Sequence, residues 1–254
     1  MAQGTLPLRG MTDNETDFGY RSVPAAEKAG LVRGVFDRVA RRYDVMNDLM
    51  SLGTHRVWKR IFATAVNPRR GERVLDLAGG TGDISALLGR GGAAVVLSDI
   101  NEAMLRTGRD RLIDAGQAEI PPLVADAEAL PFGRGTFDAV TIAFGLRNCT
   151  NKDAVLAEAH RVLRPGGRFF CLEFSRLQVA ALAPAYDAWS FRALPWLGAR
   201  VAGDADSYQY LAESIRTFPS QEKLAALFRS AGFARVSVRN LSGGIVAIHS
   251  GWKL

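Results

Sequence analysis

V-L-D-L-A-G-G-T-G-D, from Val74 to Asp83, is an apolar strand that runs into a glycine-rich turn and then into a helix-like segment. A second apolar run, Ala93 to Ser98, ends in Asp99, sixteen residues past Asp83. A strand, a tight glycine loop, a helix and a second strand tipped by an acid make the arrangement that holds an adenosine by its ribose hydroxyls. The stretch therefore predicts an α/β chain that binds a nucleoside cofactor; a tight strand-to-helix turn in some other α/β protein is the plainer alternative.

The residues over the first helix N-terminus decide which cofactor. A dinucleotide site requires G-x-G-x-x-G, but Gly80-Thr81-Gly82 is followed by Asp83, Ile84 and Ser85. Asp83 also puts a carboxylate where a pyrophosphate would lie, and that repulsion disfavours NAD or FAD. A cationic sulfonium with an amino-acid tail meets no such conflict, so S-adenosylmethionine fits better. In this reading Gly79, Gly80 and Gly82 allow close backbone approach, Asp76 and Asp83 face the amino end, and Asp99 takes the ribose diol.

Working outward, the body alternates. Strands are expected near 73–77, 94–98, 121–125, 137–143 and 168–174, with helices near 83–90, 102–115 and 151–163, which implies a parallel sheet with crossover helices. Two last strands, 235–241 and 245–249, flank Ser242-Gly243-Gly244 and predict an antiparallel hairpin. The fold class is thus α/β: a Rossmann-like, seven-stranded, mainly parallel sheet with a C-terminal antiparallel hairpin. Ahead of it an amphipathic helix from Leu31 to about Met50 and a second from Thr54 to Val66 are expected. Residues 1–27 read as a mobile tail, and 28–254 as one domain with an aromatic insertion at 176–217.

The 254 residues are 48% hydrophobic, enough for a sizeable core. The two cysteines, Cys149 and Cys171, sit in no C-x-x-C or Cys/His cluster, so neither a disulfide framework nor a metal site is expected. No apolar run reaches the ~20 residues of a spanning helix, and no signal-peptide core is seen. The expectation is a cytoplasmic protein, at most peripheral at the inner face of the membrane. The net charge of +6 is concentrated in residues 31–73, where ten Lys/Arg meet only Asp37, Asp44, Asp48 and Glu72. Such a segment attracts anionic lipid, an acidic substrate or RNA alike; a solvated helix face is the alternative.

Residues at the carboxyl ends of parallel strands carry ligand contacts. Asp126 and Ala127 are placed to hold an adenine, a turn cap being the alternative for Asp126. The end of the fourth strand, Ala143 to Asn148, has neither an N-P-P-Y type tetrapeptide nor a Pro-Cys pair, so base methylation loses its two plainest signatures and no nucleic-acid partner is expected.

Y-D-V-M-N-D-L-M-S-L-G-T-H-R-V-W (Tyr43 to Trp58) and R-V-L-R-P-G-G-R-F-F-C-L-E-F-S (Arg161 to Ser175) resemble the two signatures of the ubiquinone/menaquinone biosynthesis C-methyltransferases. D-L-A-G-G-T-G-D, S-D-I-N-E-A-M-L, A-E-A-L-P-F, F-G-L-R-N and D-A-D-S-Y-Q-Y-L-A-E-S-I-R (204–216) are similar to the same family. The resemblance implies methyl transfer from S-adenosylmethionine to a ring carbon of a polyprenylated quinol: demethylmenaquinol, 2-methoxy-6-polyprenyl-1,4-benzoquinol, or both. It carries cofactor contacts onto Thr81, Asp99, Asp126 and Ala127. A serine often found before F-G-L-R-N is Ala143 here, so one hydroxyl contact is lost.

Chemistry then suggests roles. A quinol ring carbon becomes nucleophilic when its hydroxyl ionises, and a phenol with a pKa of about 10 needs its oxyanion stabilised at neutral pH. Arg147 is expected to supply that charge, Asn148 to orient the ring, and Tyr43 to relay the proton, directly or through water. His55 is a second base candidate, a packed or capping histidine being the alternative. Trp189, Phe191, Leu194, Trp196 and Leu197 of the insertion are expected to line a path for the polyprenyl tail, with a dimer contact or ordinary core as the alternative. A homodimer or a quinone-synthesis assembly is the partner expectation.

Overall fold

The computed structural model describes residues 15–39, 48, 51, 53–179 and 205–254. Tyr43 and the insertion residues Trp189, Phe191, Leu194, Trp196 and Leu197 lie outside them.

Among the described residues a seven-stranded sheet forms the centre, in the order β5-β4-β3-β6-β7-β9-β8. Its strands are β3 (Arg73–Leu77), β4 (Ala94–Asp99), β5 (Pro122–Val124), β6 (Phe137–Ala143), β7 (Leu163–Phe174), β8 (Ala234–Leu241) and β9 (Val246–Trp252). β3 through β7 pair in parallel, whereas β9 runs antiparallel to both β7 and β8. The chain steps outward from β3 to β5, then returns to the other side of β3 with β6. That reversal puts a topological switch point between the carboxyl ends of β3 and β6, where an open α/β sheet binds its ligand.

Helices cover both faces, which is why β3 and β6 are buried almost end to end rather than at alternate residues. On one side α2 (His55–Val66), α3 (Asp83–Gly89) and α4 (Glu102–Asp114) bury Phe62, Val66, Leu88 and Leu112 with Val74 and Leu97. On the other, α5 (Lys152–Val162) and α7 (Gln221–Ser230) bury Leu156, Ala159 and Phe228 with Leu75, Val140 and Phe169. Side-chain caps start these helices where the sequence supplies them: Asn101 accepts from the Met104 N–H, Asn151 from that of Ala154, and Ser220 from that of Lys223.

The expected tail is corrected in part. Residues 15–27 are ordered elements: β1 (Glu15–Phe18) and β2 (Arg21–Pro24) form an antiparallel hairpin that leads directly into α1 (Ala25–Val39). The hairpin is too short to show periodicity, and tertiary contacts hold it. Phe18 stacks on Tyr210 of α6 (Ala205–Thr217) at 4.3 Å, and the Tyr20 N–H donates to Glu213 Oε2 at 3.0 Å. Val32 and Val35 of α1 complete this satellite cluster with Tyr208 and Leu211.

Candidate active site

A cavity of about 340 Å³ opens at the switch point, within the roughly 300–1,000 Å³ of small-molecule sites. Four strand ends and one helix build it. Ala78 and Gly80 come from the turn after β3, and Asp99, Ile100, Asn101 and Met104 from the tip of β4. Asp126 and Ala127 follow β5, and Phe144, Gly145 and Asn148 follow β6. The roof is α1, through Ala25, Ala26, Ala29, Val32, Arg33 and Phe36.

The turns on the floor are tightly drawn. Ala78 (φ 48°) and Phe144 (φ 57°) both lie in the left-handed region, a conformation that costs on the order of 1–3 kcal/mol for a residue with a Cβ and gathers at functional sites. A Cβ on Gly145 would stand 2.5 Å from the Ala78 Cβ, so the Gly145 backbone packs directly on the Ala78 methyl across the switch point. Of the three glycines expected to admit a ligand, only Gly80 lines the cavity, at φ +54°. Gly79 instead makes room for protein: its Cβ would lie 2.5 Å from Leu97 Cδ1 and 2.8 Å from Asp76 Oδ2. Gly82, at φ +78°, faces Leu97 and Leu112 and begins α3. Thr81 is buried and is not among the described lining residues.

Asp99 stands at the cavity edge. Its Oδ2 accepts the Gly80 N–H at 2.9 Å and its Oδ1 the Asn101 N–H at 2.8 Å, which holds the glycine turn against the end of β4. Burial pushes its carboxyl above the usual range while these backbone donors oppose the shift. Asn101 also donates from Nδ2 to Asp37 Oδ1 at 2.8 Å and thereby ties the roof helix to this corner. Asp126 lines the cavity, and its Oδ1 also accepts the Glu128 N–H at 2.8 Å, so the turn-cap function is present as well.

Asp76 departs from its expected place at the amino end of a cofactor. It is fully buried inside β3, with Oδ2 accepting from Ser85 Oγ at 2.7 Å and Oδ1 from Thr141 Oγ1 at 2.8 Å. It braces β3 against α3 and β6. Asp83 is likewise engaged, paired with Lys59 at 2.5 Å and lying 3.7 Å from Arg111. Burial pushes Asp76 up to about 6, the two hydroxyl donors acting against it. Because the folded chain keeps a proton that the unfolded chain releases near 3.8, this residue's contribution lowers stability as pH rises from about 4 to about 6 and is flat above. The size is on the order of 2–3 kcal/mol. Urea unfolding at several pH values is expected to show that falling limb in the wild type relative to Asp76→Asn; parallel curves for the two proteins would contradict it.

Arg147 was expected to offer a fixed guanidinium to the acceptor oxyanion, and the structure places it against a carboxylate. It is buried, and its Nη1 donates to Glu173 Oε1 at 2.7 Å and to the Phe144 carbonyl at 2.6 Å. The Arg147 N–H reaches Glu173 Oε2 at 3.3 Å, and Glu173 Oε1 accepts the Phe174 N–H at 2.9 Å. Arg147 lines a narrow cleft with Lys28, Lys152 and Tyr210 rather than the described wall of the large cavity. Its charge is already matched by a carboxylate, and its visible work is to hold the turn that carries Asn148. Asn148 does line the cavity.

His55 sits elsewhere. Its Nδ1 lies 2.9 Å from Ser51 Oγ and 3.6 Å from Asp48 Oδ1, and it lines an open cleft with Arg56, Lys59 and Asp83. Burial, with Lys59 beside it, holds its pKa below the usual histidine value. The structure thus assembles Gly80, Asp99, Asp126, Ala127 and Asn148 and leaves Asp76, Thr81, Arg147 and His55 off the described cavity wall. Sequence reasoning missed the roof. Ala25, Ala29, Val32 and Phe36 recur at helical spacing, a stripe whose first position fell within the presumed tail and whose second precedes the helix start expected at Leu31.

The residues present fit an adenosyl cofactor. An acid at the tip of β4 and small residues at the mouth of the β3 turn leave room for a ribose, and Asp99, Asp126 and Glu128 outnumber Arg33 in the described lining. The fold agrees with solved methyltransferases. A SAM-dependent methyltransferase of Thermotoga maritima superposes with a TM-score of 0.64 at 19% identity, covering 88% of this chain and all of that one. Phosphoethanolamine N-methyltransferase 2 of Haemonchus contortus, solved with S-adenosyl-L-methionine, gives 0.57 at 14% identity over 77% of this chain and 52% of its own. Sequence likeness is much closer to two bacterial proteins named ubiquinone/menaquinone biosynthesis C-methyltransferase UbiE. That of Acidiphilium cryptum is 65% identical over 96% of this chain and 99% of its own, and that of Methylococcus capsulatus 56% identical over 96% and 100%. The model of the ubiE/COQ5 methyltransferase family matches residues 23–253, and with nearly the whole chain covered, the protein belongs to that family.

Proposed function

We propose that this chain transfers a methyl group from S-adenosylmethionine to a ring carbon of a polyprenylated quinol, either a benzoquinol or a naphthoquinol, in the biosynthesis of ubiquinone, menaquinone or both. The observation that carries the reading is the coincidence of family membership over residues 23–253 with a cavity at the switch point edged by Asp99. When bound, the cofactor supplies an electrophilic methyl on a sulfonium. Asp99 receives the ribose diol, Asp126 and Ala127 the adenine, and Gly80 gives the backbone room to approach.

The rest of the chemistry falls to the acceptor side. Orienting two bound reactants accounts for a large part of such a rate, and the quinol oxygen needs a donor as it ionises. Asn148 is that donor, while Arg147 and Glu173 fix the turn beneath it. The α1 roof covers the cavity with Ala25, Ala26, Ala29, Val32 and Phe36, and brings one cation, Arg33. Tyr43 keeps its proposed part in proton relay. Incubation with S-adenosylmethionine and reduced short-tail demethylmenaquinol or 2-methoxy-6-prenyl-1,4-benzoquinol, followed by mass spectrometry, tests the reading. One methyl gained on a ring carbon supports it; cofactor binding without transfer to either quinol refutes it.

No helix among the described residues is long and apolar enough to cross a membrane, yet a polyprenyl tail resides in one. Arg56, Val57 and Arg60 are exposed on α2, as are Arg69, Arg70 and Arg73 beyond it, with Arg56 paired to Asp48; these arginines are the proposed contact for anionic lipid. Sedimentation with phosphatidylglycerol-containing vesicles is expected to capture the protein at low salt and release it near 0.5 M salt, where the Debye length falls to roughly 4 Å. Absence of binding at low salt would remove the surface role.

A further inference from the structure

The segment that carries Tyr208 and Tyr210 matches a family motif, yet the cofactor and acceptor roles above make no use of it. Tyr210 is 4% exposed. Its hydroxyl donates to Asn148 Oδ1 at 3.1 Å. We propose that Tyr210 is a positioning residue that turns the Asn148 amide so that its nitrogen, and not its oxygen, faces the acceptor quinol. The proposal rests on the quinol reading above and adds the residue that orients its donor.

A side-chain amide has an acceptor end and a donor end of nearly the same shape, and only its partners decide which way it points. With Oδ1 taken by the tyrosine hydroxyl, the two Nδ2 protons of Asn148 are left at the cavity. A nitrogen there stabilises an oxygen that gains negative charge, whereas an oxygen there would repel it. Tyr210 is well placed to impose this choice. Its ring is stacked on Phe18 at 4.3 Å and packed among Val32, Val35 and Leu211. Burial pushes its hydroxyl up to about 12, with Arg147 opposing the shift and Cys149 and Glu173 adding to it, so the group remains a donor through the working pH range.

The backbone under the amide is equally restrained. The Asn148 N–H reaches the Gly145 carbonyl at 3.0 Å, Lys28 Nζ donates to the Cys149 carbonyl at 3.1 Å, and Glu128 Oε1 accepts the Thr150 N–H at 2.6 Å. With the backbone held, the two side-chain torsions are the freedom left to Asn148, and the bond from the Tyr210 hydroxyl restricts them.

The test is Tyr210→Phe in the full chain, assayed on reduced short-tail demethylmenaquinol or 2-methoxy-6-prenyl-1,4-benzoquinol, whichever the wild type methylates. The expected result is a fall in kcat of about 10- to 100-fold, the worth of a hydrogen bond to a charged group. KM and the Kd for S-adenosylmethionine should stay within about threefold, and the rise of kcat with pH should shift upward by roughly one unit. Asn148→Asp keeps an acceptor for the tyrosine but has no N–H to offer, so adding Tyr210→Phe to it should cost nothing further. Additive losses, or an unmoved pH profile, would overturn the proposal and leave Tyr210 as packing. A readout without turnover separates this from the function itself: 4-nitrophenol titrated by absorbance with S-adenosylhomocysteine present should ionise at a lower pH with wild type than with Tyr210→Phe. If no quinol is methylated but this difference persists, the acceptor assignment falls and the amide orientation stands. Identical titrations overturn the orientation.

Discussion

Glu173→Ala is expected to lower the unfolding free energy by about 3–5 kcal/mol, the cost of leaving a buried charge without its partner. The Arg147 and Glu173 side chains are only 4% and 1% exposed, and the carboxylate accepts from the Arg147 guanidinium and from the backbone N–H groups of Arg147 and Phe174. At about 2–4 °C per kcal/mol for a chain of this size, the melting midpoint should drop by roughly 10 °C. Differential scanning fluorimetry reads it directly. A double replacement, Glu173→Leu with Arg147→Met, should recover most of that loss, because apolar side chains of similar volume do not pay to desolvate a charge. It should not recover methyl transfer, since the bond from Arg147 to the Phe144 carbonyl that shapes the turn under Asn148 is also gone. A single Glu173→Ala protein as stable as wild type would mean that water reaches this pair and that the turn is held by other contacts.

The second large effect belongs to Asp99→Ala. Two hydrogen bonds from a ribose diol to a carboxylate are worth about 1.5–3 kcal/mol each, so the Kd for S-adenosylmethionine should rise roughly 100-fold or more. The variant also frees the Gly80 and Asn101 N–H groups that Asp99 now accepts, which loosens the turn that approaches the ligand. Asp99→Asn retains one acceptor oxygen and should fall between the two. Calorimetry with S-adenosylhomocysteine settles the matter, and a loss of less than about threefold for the alanine variant would move the ribose away from the tip of β4.

Much of this architecture was legible in the chain. The strands near 73–77, 94–98 and 137–143 and the helices between them stand where the apolar periodicity put them, because those segments are buried on both faces or along one stripe and their composition has little freedom. The same holds for the antiparallel closure, where β8 and β9 flank a glycine turn. The hairpin at residues 15–24 was not legible. Its four-residue strands carry no periodic signal, and the contacts that hold it come from Tyr210 and Glu213, nearly two hundred residues away.

Among the site residues the division has the same cause. Gly80, Asp99, Asp126, Ala127 and Asn148 follow directly from their places at strand ends, since strand direction alone sends them to the switch point. Asp76 and Arg147 sit in equally suggestive motifs, yet their side chains turn inward to Ser85 and Thr141 and to Glu173. A charge in a motif is the same letter whether it meets a ligand or a buried partner. Periodicity, glycine placement and strand polarity are local properties, so the mainly parallel sheet with its antiparallel closure, the cofactor end and the family were legible in the chain. Only the tertiary structure decided which polar groups remain available for chemistry, because that depends on partners brought together from distant segments: the α1 roof, the Arg147 and Glu173 pair, and the tyrosine that fixes the Asn148 amide.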